Sequence, residues 1–407
     1  MPRQIVIVGA GQAADQAVYT LRRRGFTEGL VLVGDEPRLP YQRPPLSKKF
    51  LAGTLDPERL ALRAPQFYEE HAVRTHLGAR AEEILRREQR IRLDDGSTIA
   101  YDVLILATGS HPRRLQAPGA NLLGVHYLRT IADVERIRTD LRDGRRLVVV
   151  GGGYIGLEVA ATARELGAQV TVLEIADRVM NRVTCSAVSA FYEAEHSRHG
   201  VRIVRGSTVH MLVGDSCSGR VRGVITEDAT EYAADLVVVG VGALPTDGLA
   251  VASGLECSNG ITINNYCCTS DPMIYAAGDC TSQVSLHYDR RVRLESVDNA
   301  VEQGLCAALN ILGGDRTVHK VPWFWSDQYD LKLVIVGLSQ GHDEVVLRGE
   351  AASRSFSACY LRQGELIAVD AINRPKDQVA ARQLIASRAR PNLEKLANIN
   401  IPLRDAM

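Results

Sequence analysis

The chain has 407 residues, 45% of them hydrophobic and 24% charged. That is too long for one ordinary domain, and long enough to bury a large core without disulfide or metal staples. Lys plus Arg and Asp plus Glu both number 48, so the excess positive charge that drives nucleic-acid affinity is absent. No apolar run approaches the roughly 18 residues that a spanning helix needs, so no membrane role is expected. The N-terminus enters a strand at once, with no signal or transit segment, and a cytoplasmic protein is expected.

In chain order, a strand over residues 5–8 leads into Gly9-Ala10-Gly11-Gln12-Ala13-Ala14. A helix-compatible run follows to Arg24, and a strand over 30–33 ends at Asp35 and Glu36. Residues 103–109 read as a buried strand running into a small-residue turn. The first pattern then recurs. A strand over 147–150 precedes Gly151-Gly152-Gly153-Tyr154-Ile155-Gly156, a helix to about Leu166 and a strand over 169–173 ending at Glu174. Residues 274–279 form another strand ending in an acid, Asp279. Beyond 318 the pattern changes to strand-like runs over 331–337, 344–348, 356–362 and 366–371, then a helix over 375–388. Turn-prone Gln340-Gly341-His342-Asp343 and Gln363-Gly364-Glu365 separate these runs, as expected of a small α+β domain.

The repeated pattern has a physical reading. The first Gly permits a tight turn, and the second lets backbone approach a pyrophosphate. A third small residue, Ala14 or Gly156, lets helix and sheet pack closely, and the helix N-terminus faces the phosphates. The acid after the second strand accepts hydrogen bonds from a ribose. Each copy has both strands, the helix and the acid, so two dinucleotide sites are expected, at Gly9, Gly11 and Asp35 and at Gly151, Gly152 and Glu174. The fold class is therefore α/β: two Rossmann-like dinucleotide-binding domains, one inserted into the other, plus a C-terminal α+β domain. The boundaries are 1–111 with 246–318, 112–245, and 319–407.

None of the eight cysteines forms a CxxC or zinc spacing, so no metal is expected. Adjacent Cys267 and Cys268 read as reduced thiols in or near a strand. Residues 1–184 contain no cysteine.

Further motifs are Arg43-Pro44-Pro45-Leu46-Ser47-Lys48, Leu106-Ala107-Thr108-Gly109, Tyr127-Leu128-Arg129-Thr130, Gly278-Asp279-Cys280, Glu295-Ser296-Val297 and Pro322-Trp323-Phe324-Trp325-Ser326-Asp327-Gln328. With the Gly151 turn and its Leu157-Glu158-Val159-Ala160 continuation, they cover nearly the whole chain. The chain resembles the NADH-dependent ferredoxin reductases of oxygenase systems, flavoproteins of glutathione-reductase-like fold. The resemblance makes 1–111 with 246–318 the FAD domain, 112–245 the NAD domain and 319–407 an interface domain. It implies FAD contacts at Gly11, Ala13, Asp35, Lys48, Ala81, Arg129, Asp279 and Val297. NAD contacts are implied at Gly152, Tyr154, Ile155, Glu158 and Glu174.

Members of that family take a hydride from NADH and pass single electrons to a 2Fe–2S ferredoxin. The ferredoxin then feeds a haem monooxygenase or a ring-hydroxylating dioxygenase. NADH gives two electrons together and an iron–sulfur cluster takes one, so a flavin must stand between them. Lys48, stiffened by two prolines before an expected helix start, is the candidate cation that favours reduced flavin; Glu158 is its candidate partner. Glu174 should select NADH by repelling a 2′-phosphate, with Arg178 read as a surface charge. Tyr154 is a candidate gate over the flavin, or else a ring packed in a domain seam. Trp325 is a candidate on the electron route, and strand alternation lets Trp323 and Trp325 point the same way. Arg290, Arg291 and Arg293, or Arg22-Arg23-Arg24, are candidate basic faces for an acidic ferredoxin.

Two features depart from the family. Residues 298–312 contain no Lys or Arg, where at least one member carries basic residues, and Asp298 replaces a proline after Val297. Disulfide reductases and NADH peroxidases share the two-turn layout but place a reactive cysteine near the flavin in the FAD half, and this chain has none before Cys185, so that chemistry is not expected. A rubredoxin reductase remains an alternative. A non-catalytic flavin-binding redox-signalling protein, such as those like apoptosis-inducing factor, is another.

Overall fold

The computed structural model describes residues 2–407. Its contacts divide into two compact units. One comprises residues 2–42, Pro57–His111 and Leu244–Pro322, the other Arg43–Asp56, Pro112–Ala243 and Trp323–Met407.

The first unit is built on a parallel sheet in the order Ile274–Ala276, Val103–Leu106, Gln4–Val8, Gly29–Gly34, Val73–Leu77. The inner strands are covered on both faces, which is why they read as unbroken apolar runs rather than alternations. Strand order reverses at Gln4–Val8, so the carboxyl end of that strand is the switch point where such sheets receive ligands. Helix Gln12–Arg23 packs on helix Val297–Ile311. Gly304 makes this close approach possible, since a Cβ there would lie 2.4 Å from the Ala13 carbonyl oxygen.

The second unit repeats the plan. Its parallel sheet runs Arg202–Val204, Gln169–Leu173, Arg146–Val150, Leu236–Val239, Val125–Tyr127. Strand order again reverses at the central strand, Arg146–Val150. The unit also holds a five-stranded antiparallel sheet in the order Trp323–Gln328, Leu331–Gly337, Glu365–Ile372, Phe356–Arg362, Glu344–Arg348. Its register aligns Phe324, Ile335, Asp370 and Ala358 in one cross-strand row.

Alternation puts Phe324, Ser326 and Gln328 on one face, and Trp323 and Trp325 on the other. The Phe324 face meets helices Tyr154–Glu165 and Ser186–Arg198 through Tyr154, Glu158 and His196. On the opposite face Arg382, from helix Pro375–Ala386, stacks over Trp323. Among the described residues no helix is long and apolar enough to cross a membrane.

Candidate active site

Both Gly-rich turns sit at the switch points. Gly9 and Gly151 have φ of +111° and +108°, a conformation that favours glycine, and each also lies against backbone. A Cβ on Gly9 would meet the Ala107 carbonyl oxygen at 2.1 Å, and one on Gly151 the Gly240 carbonyl oxygen at 2.4 Å. Gly11 and Gly153, which precede the two helices, face open space instead. Neither helix start has a side-chain cap, so each leaves backbone N–H groups open to an anion. Two uncapped helix ends beside open glycines are cradles that fit two pyrophosphates.

In the first unit Ala13 is buried under its turn and Asp35 is exposed beyond the second strand. Asp279 accepts a hydrogen bond from the Ser110 hydroxyl at 2.9 Å. Val297 opens its helix, which Ser296 caps at Asn299 N–H, 3.1 Å. Ala81 is half-buried at the start of an antiparallel strand. In the second unit Glu174 is fixed at both oxygens, by Gly152 N–H at 2.5 Å and Ala176 N–H at 2.8 Å. Ile155 is half exposed at the start of its helix. Arg129 precedes the Thr130–Asp133 capping box, and its carbonyl accepts from Arg43 at 2.7 Å.

Lys48 and Glu158 come together in the second unit, Nζ to Oε2 at 2.7 Å. Glu158 is buried one turn into its helix and accepts two further hydrogen bonds, from Ser47 Oγ at 2.5 Å and Ser326 Oγ at 2.7 Å. Its lone pairs are thus used, as a buried carboxylate requires. Lys48 Nζ also donates to the Pro44 carbonyl at 3.0 Å. The expected helix start at Lys48 is corrected. Pro44–Ser47 form a single 3-10 turn, and Lys48 closes it. The prolines themselves occupy the first positions of that turn, where their missing N–H is not needed.

The Tyr154 ring packs edge-on against Phe324, centroids 4.8 Å apart, and its hydroxyl is buried with no hydrogen-bond partner. Burial pushes that phenol well up, and the Asp370 charge adds to it. Trp323 and Trp325 do share a face, with ring centroids 5.6 Å apart.

Arg178 is a half-buried brace rather than a plain surface charge, donating to Thr184 and Asn181 carbonyls and to Ser189 Oγ. Arg22 is likewise occupied, with the carbonyls of His71, Phe26, Glu28 and Ala72. Cys267 is buried at φ +65°, with burial pushing its thiol up, and Cys268 bridges to strand residue Tyr275. Among the described residues no group of three His, Cys, Asp or Glu is placed to hold a metal.

Sequence reading missed Ser47, Ser326, Gln328, His196 and Asp370. A signal existed for some of them. Ser326 and Gln328 follow Phe324 at alternate positions and so share its strand face, and Asp370 is a lone acid in an apolar run. His196 carries no comparable mark.

Two anion cradles at the switch points of two parallel sheets, with a buried ion pair on the second, define a two-dinucleotide oxidoreductase. Residues 3–304 match the family described as pyridine nucleotide-disulphide oxidoreductase, and residues 323–407 match a reductase C-terminal family. The chain belongs to the pyridine nucleotide-disulphide oxidoreductase family, which implies FAD and NAD(H) as its cofactors. It is 44% identical over 406 residues to putidaredoxin reductase of Pseudomonas putida, covering 98% of this chain and 96% of that protein. It is 42% identical over 403 residues to rhodocoxin reductase of Rhodococcus erythropolis, covering 99% and 94%. Among solved structures, the covalent putidaredoxin reductase–putidaredoxin complex matches with a TM-score of 0.96 at 43% identity, covering 99% of this chain and 97% of that one.

Proposed function

We propose that this protein is an FAD-dependent NADH:ferredoxin reductase, located in the cytoplasm, that serves a monooxygenase or dioxygenase through a 2Fe–2S ferredoxin. The observation that carries this reading is the Lys48–Glu158 pair, built onto the helix of the second dinucleotide turn and held by Ser47 and Ser326. Full-length kinship with reductases named for putidaredoxin and rhodocoxin supports the acceptor. The absence of cysteine from residues 1–184 argues against a reactive disulfide in the first flavin segment, residues 1–111.

In this reading residues 1–111 and 246–318 bind FAD, 112–245 bind NAD, and 319–407 form the interface domain. Gly9, Gly11, Ala13, Asp35, Ala81, Asp279 and Val297, with Lys48 and Arg129, hold the flavin nucleotide. Gly151, Gly152, Tyr154, Ile155, Glu158 and Glu174 hold NADH. Bound FAD would supply the means to take two electrons together and release them singly. Lys48 stabilises negative charge that develops on reduction, and Glu158 keeps its ammonium in place. Tyr154 gates access of the nicotinamide, and Trp325 lies on the route to the acceptor.

Glu174 repels a 2′-phosphate, so NADH should be used more efficiently than NADPH; equal efficiency removes Glu174 from that role. The decisive experiment is NADH oxidation by the FAD-loaded protein, with cytochrome c as final reporter, with and without a 2Fe–2S ferredoxin. A large ferredoxin-dependent increase is expected. Rapid flavin reduction without that increase would point to a rubredoxin or another acceptor. Too little flavin reduction for turnover would favour a signalling role.

A further inference from the structure

Gln303 is a buried amide that the proposed chemistry does not use. It lies on helix Val297–Ile311, 1% exposed, one residue before Gly304, where that helix meets helix Gln12–Arg23. Its side-chain oxygen, Oε1, accepts from Gly278 N–H at 2.7 Å and from Asn299 Nδ2 at 3.2 Å. A backbone N–H can only donate, so the atom facing Gly278 is the amide oxygen and not the amide nitrogen. The Thr281 hydroxyl lies 2.9 Å from the same oxygen and 2.9 Å from the Gly278 carbonyl, and its one proton serves either.

These bonds fall where strand Ile274–Ala276 leaves its sheet. Ala277 N–H still reaches the Leu106 carbonyl of the neighbouring strand, at 2.9 Å. Gly278 N–H is the next amide, and it goes to Gln303 instead of to the sheet. The residue after it is Asp279, whose carboxylate is held separately by Ser110 Oγ. On the helix side, Asn299 directs its other Nδ2 proton to the Leu294 carbonyl at 3.2 Å, and its backbone N–H to Ser296 Oγ. The Glu295-Ser296-Val297 entry to the helix is thereby tied to the same oxygen. The turn also lies on the first Gly-rich helix, since a Cβ at Gly278 would sit 3.2 Å from that of Ala13. Ala13, Asp279 and Val297 are far apart in sequence, and the segments that carry them converge around this one glutamine.

We infer that Gln303 is a positioning residue for FAD: its Oε1 locks the Gly278-Asp279 turn to the helix that Val297 opens, so that the two segments keep one spacing. The inference rests on the reading of Asp279 and Val297 as FAD contacts, and names the group that holds them in register. An apolar side chain of the same length would leave the buried Gly278 amide without an acceptor, and the turn would have to move to find one. A carboxylate of the same length keeps the acceptor, and charge-assisted bonds to it are about twice as strong as neutral ones.

The test is FAD retention by the full-length protein. FAD-loaded protein is diluted in steps and the released flavin is read by its fluorescence, which gives a dissociation constant for the parent and for each variant. Gln303→Met should raise that constant about tenfold, the scale of one buried hydrogen bond lost from the bound state. Gln303→Glu should restore it to within about threefold of the parent value, because the acceptor oxygen is kept at the same reach. Asn299→Ala, which cuts only the helix side of the link, should raise it by a smaller factor.

A Gln303→Met protein that unfolds more easily but retains FAD as the parent does would make Gln303 purely structural and overturn the inference. So would a loss of FAD that Gln303→Glu fails to restore. If Gln303→Met does not fold, Asn299→Ala decides by itself, and unchanged FAD affinity there overturns the inference. Asp279→Ala separates the two levels. Parent-like FAD affinity in that variant removes the turn from the flavin site, and the underlying reading fails together with the inference. Weakened binding in Asp279→Ala beside parent-like binding in Gln303→Met leaves the reading intact and overturns the inference alone.

Discussion

The two Gly-rich turns open onto helices that each bury an acid about one turn in, and the two acids are treated differently. In the first unit Asp15 accepts from the Tyr68 hydroxyl at 2.8 Å and pairs with Arg63 at 3.0 Å. The Arg63 guanidinium is stacked 3.9 Å from the Tyr19 ring centre and 5.0 Å from that of Phe67. That cation is clamped between rings and serves packing. In the second unit Glu158 pairs with Lys48, a flexible point charge on a proline-stiffened turn, and bonds two serines. An arginine clamped by aromatics fixes structure, whereas a lysine held by one carboxylate keeps a cation available to a bound group. In the proposed reading, the same supersecondary unit would be used once to hold a nucleotide and once to carry chemistry.

The largest effects should come from breaking the turns themselves. Gly9→Ala and Gly151→Ala each place a methyl inside van der Waals distance of backbone, at a φ that alanine resists. A cost of about 3 kcal/mol or more is expected for each. The consequences should separate. Gly9→Ala should be purified without flavin, and Gly151→Ala should keep flavin that NADH no longer reduces. Normal flavin content in Gly9→Ala, or normal reduction in Gly151→Ala, would undo the assignment of one dinucleotide to each turn.

The next effect sharpens the contrast between the two cations. Lys48→Met should slow reduction of bound flavin by NADH about 10²-fold, the scale of losing one preorganised charge partner. Arg63→Met strands Asp15 in the first unit and should cost roughly 3 kcal/mol of stability with no comparable slowing. Stopped-flow flavin reduction and denaturant unfolding of both variants give the comparison. Unchanged reduction in Lys48→Met would make both ion pairs structural.

The legible parts of the sequence were those whose physics is local. Parallel strands buried on both faces read as apolar runs, and the Gly-rich turns place both switch points within a residue or two. The antiparallel strands after residue 330 were bounded by turn residues and emerge nearly as read. The meander Val209–Gly214, Val221–Thr226, Glu231–Ala233 was not seen, because its two longer strands break strict alternation of burial and its last strand has only three residues. Lys48 and Glu158 were each visible as candidates, but their serine supports were not. Ser47 and Ser326 lie 111 and 168 residues from Glu158, and only tertiary packing joins them. Arg348, fully buried among Asp377 and the carbonyls of the C-terminal segment, reads in sequence as an ordinary strand-end charge.

The second helix differs from the first in one more way, and it yields the smallest expected effect. From Glu158 a single chain of hydrogen bonds leads inward. Ser326 Oγ donates to Glu158, Gln328 Nε2 to Ser326 Oγ at 3.1 Å, and His196 Nε2 to Gln328 Oε1 at 2.8 Å. His196 Nδ1 is left to accept from the Tyr329 hydroxyl at 3.1 Å, which requires a neutral imidazole. Burial holds that ring down to about 4, against the pull of the Gln328 hydrogen bond, with neighbouring His199 adding to the depression. The unfolded chain takes a proton on this histidine near pH 6.5, and the folded protein refuses it until about pH 4. The contribution is therefore fully present above the unfolded value and is lost as pH falls toward the folded one. The slope is at most about 1.4 kcal/mol per pH unit. Denaturant midpoints between those two pH values should fall less steeply in His196→Gln than in the parent protein, by about one proton's worth. An identical acid slope in the variant would mean that His196 already carries its proton in the folded state, and the Tyr329 hydroxyl would then have to accept from Nδ1 rather than donate to it.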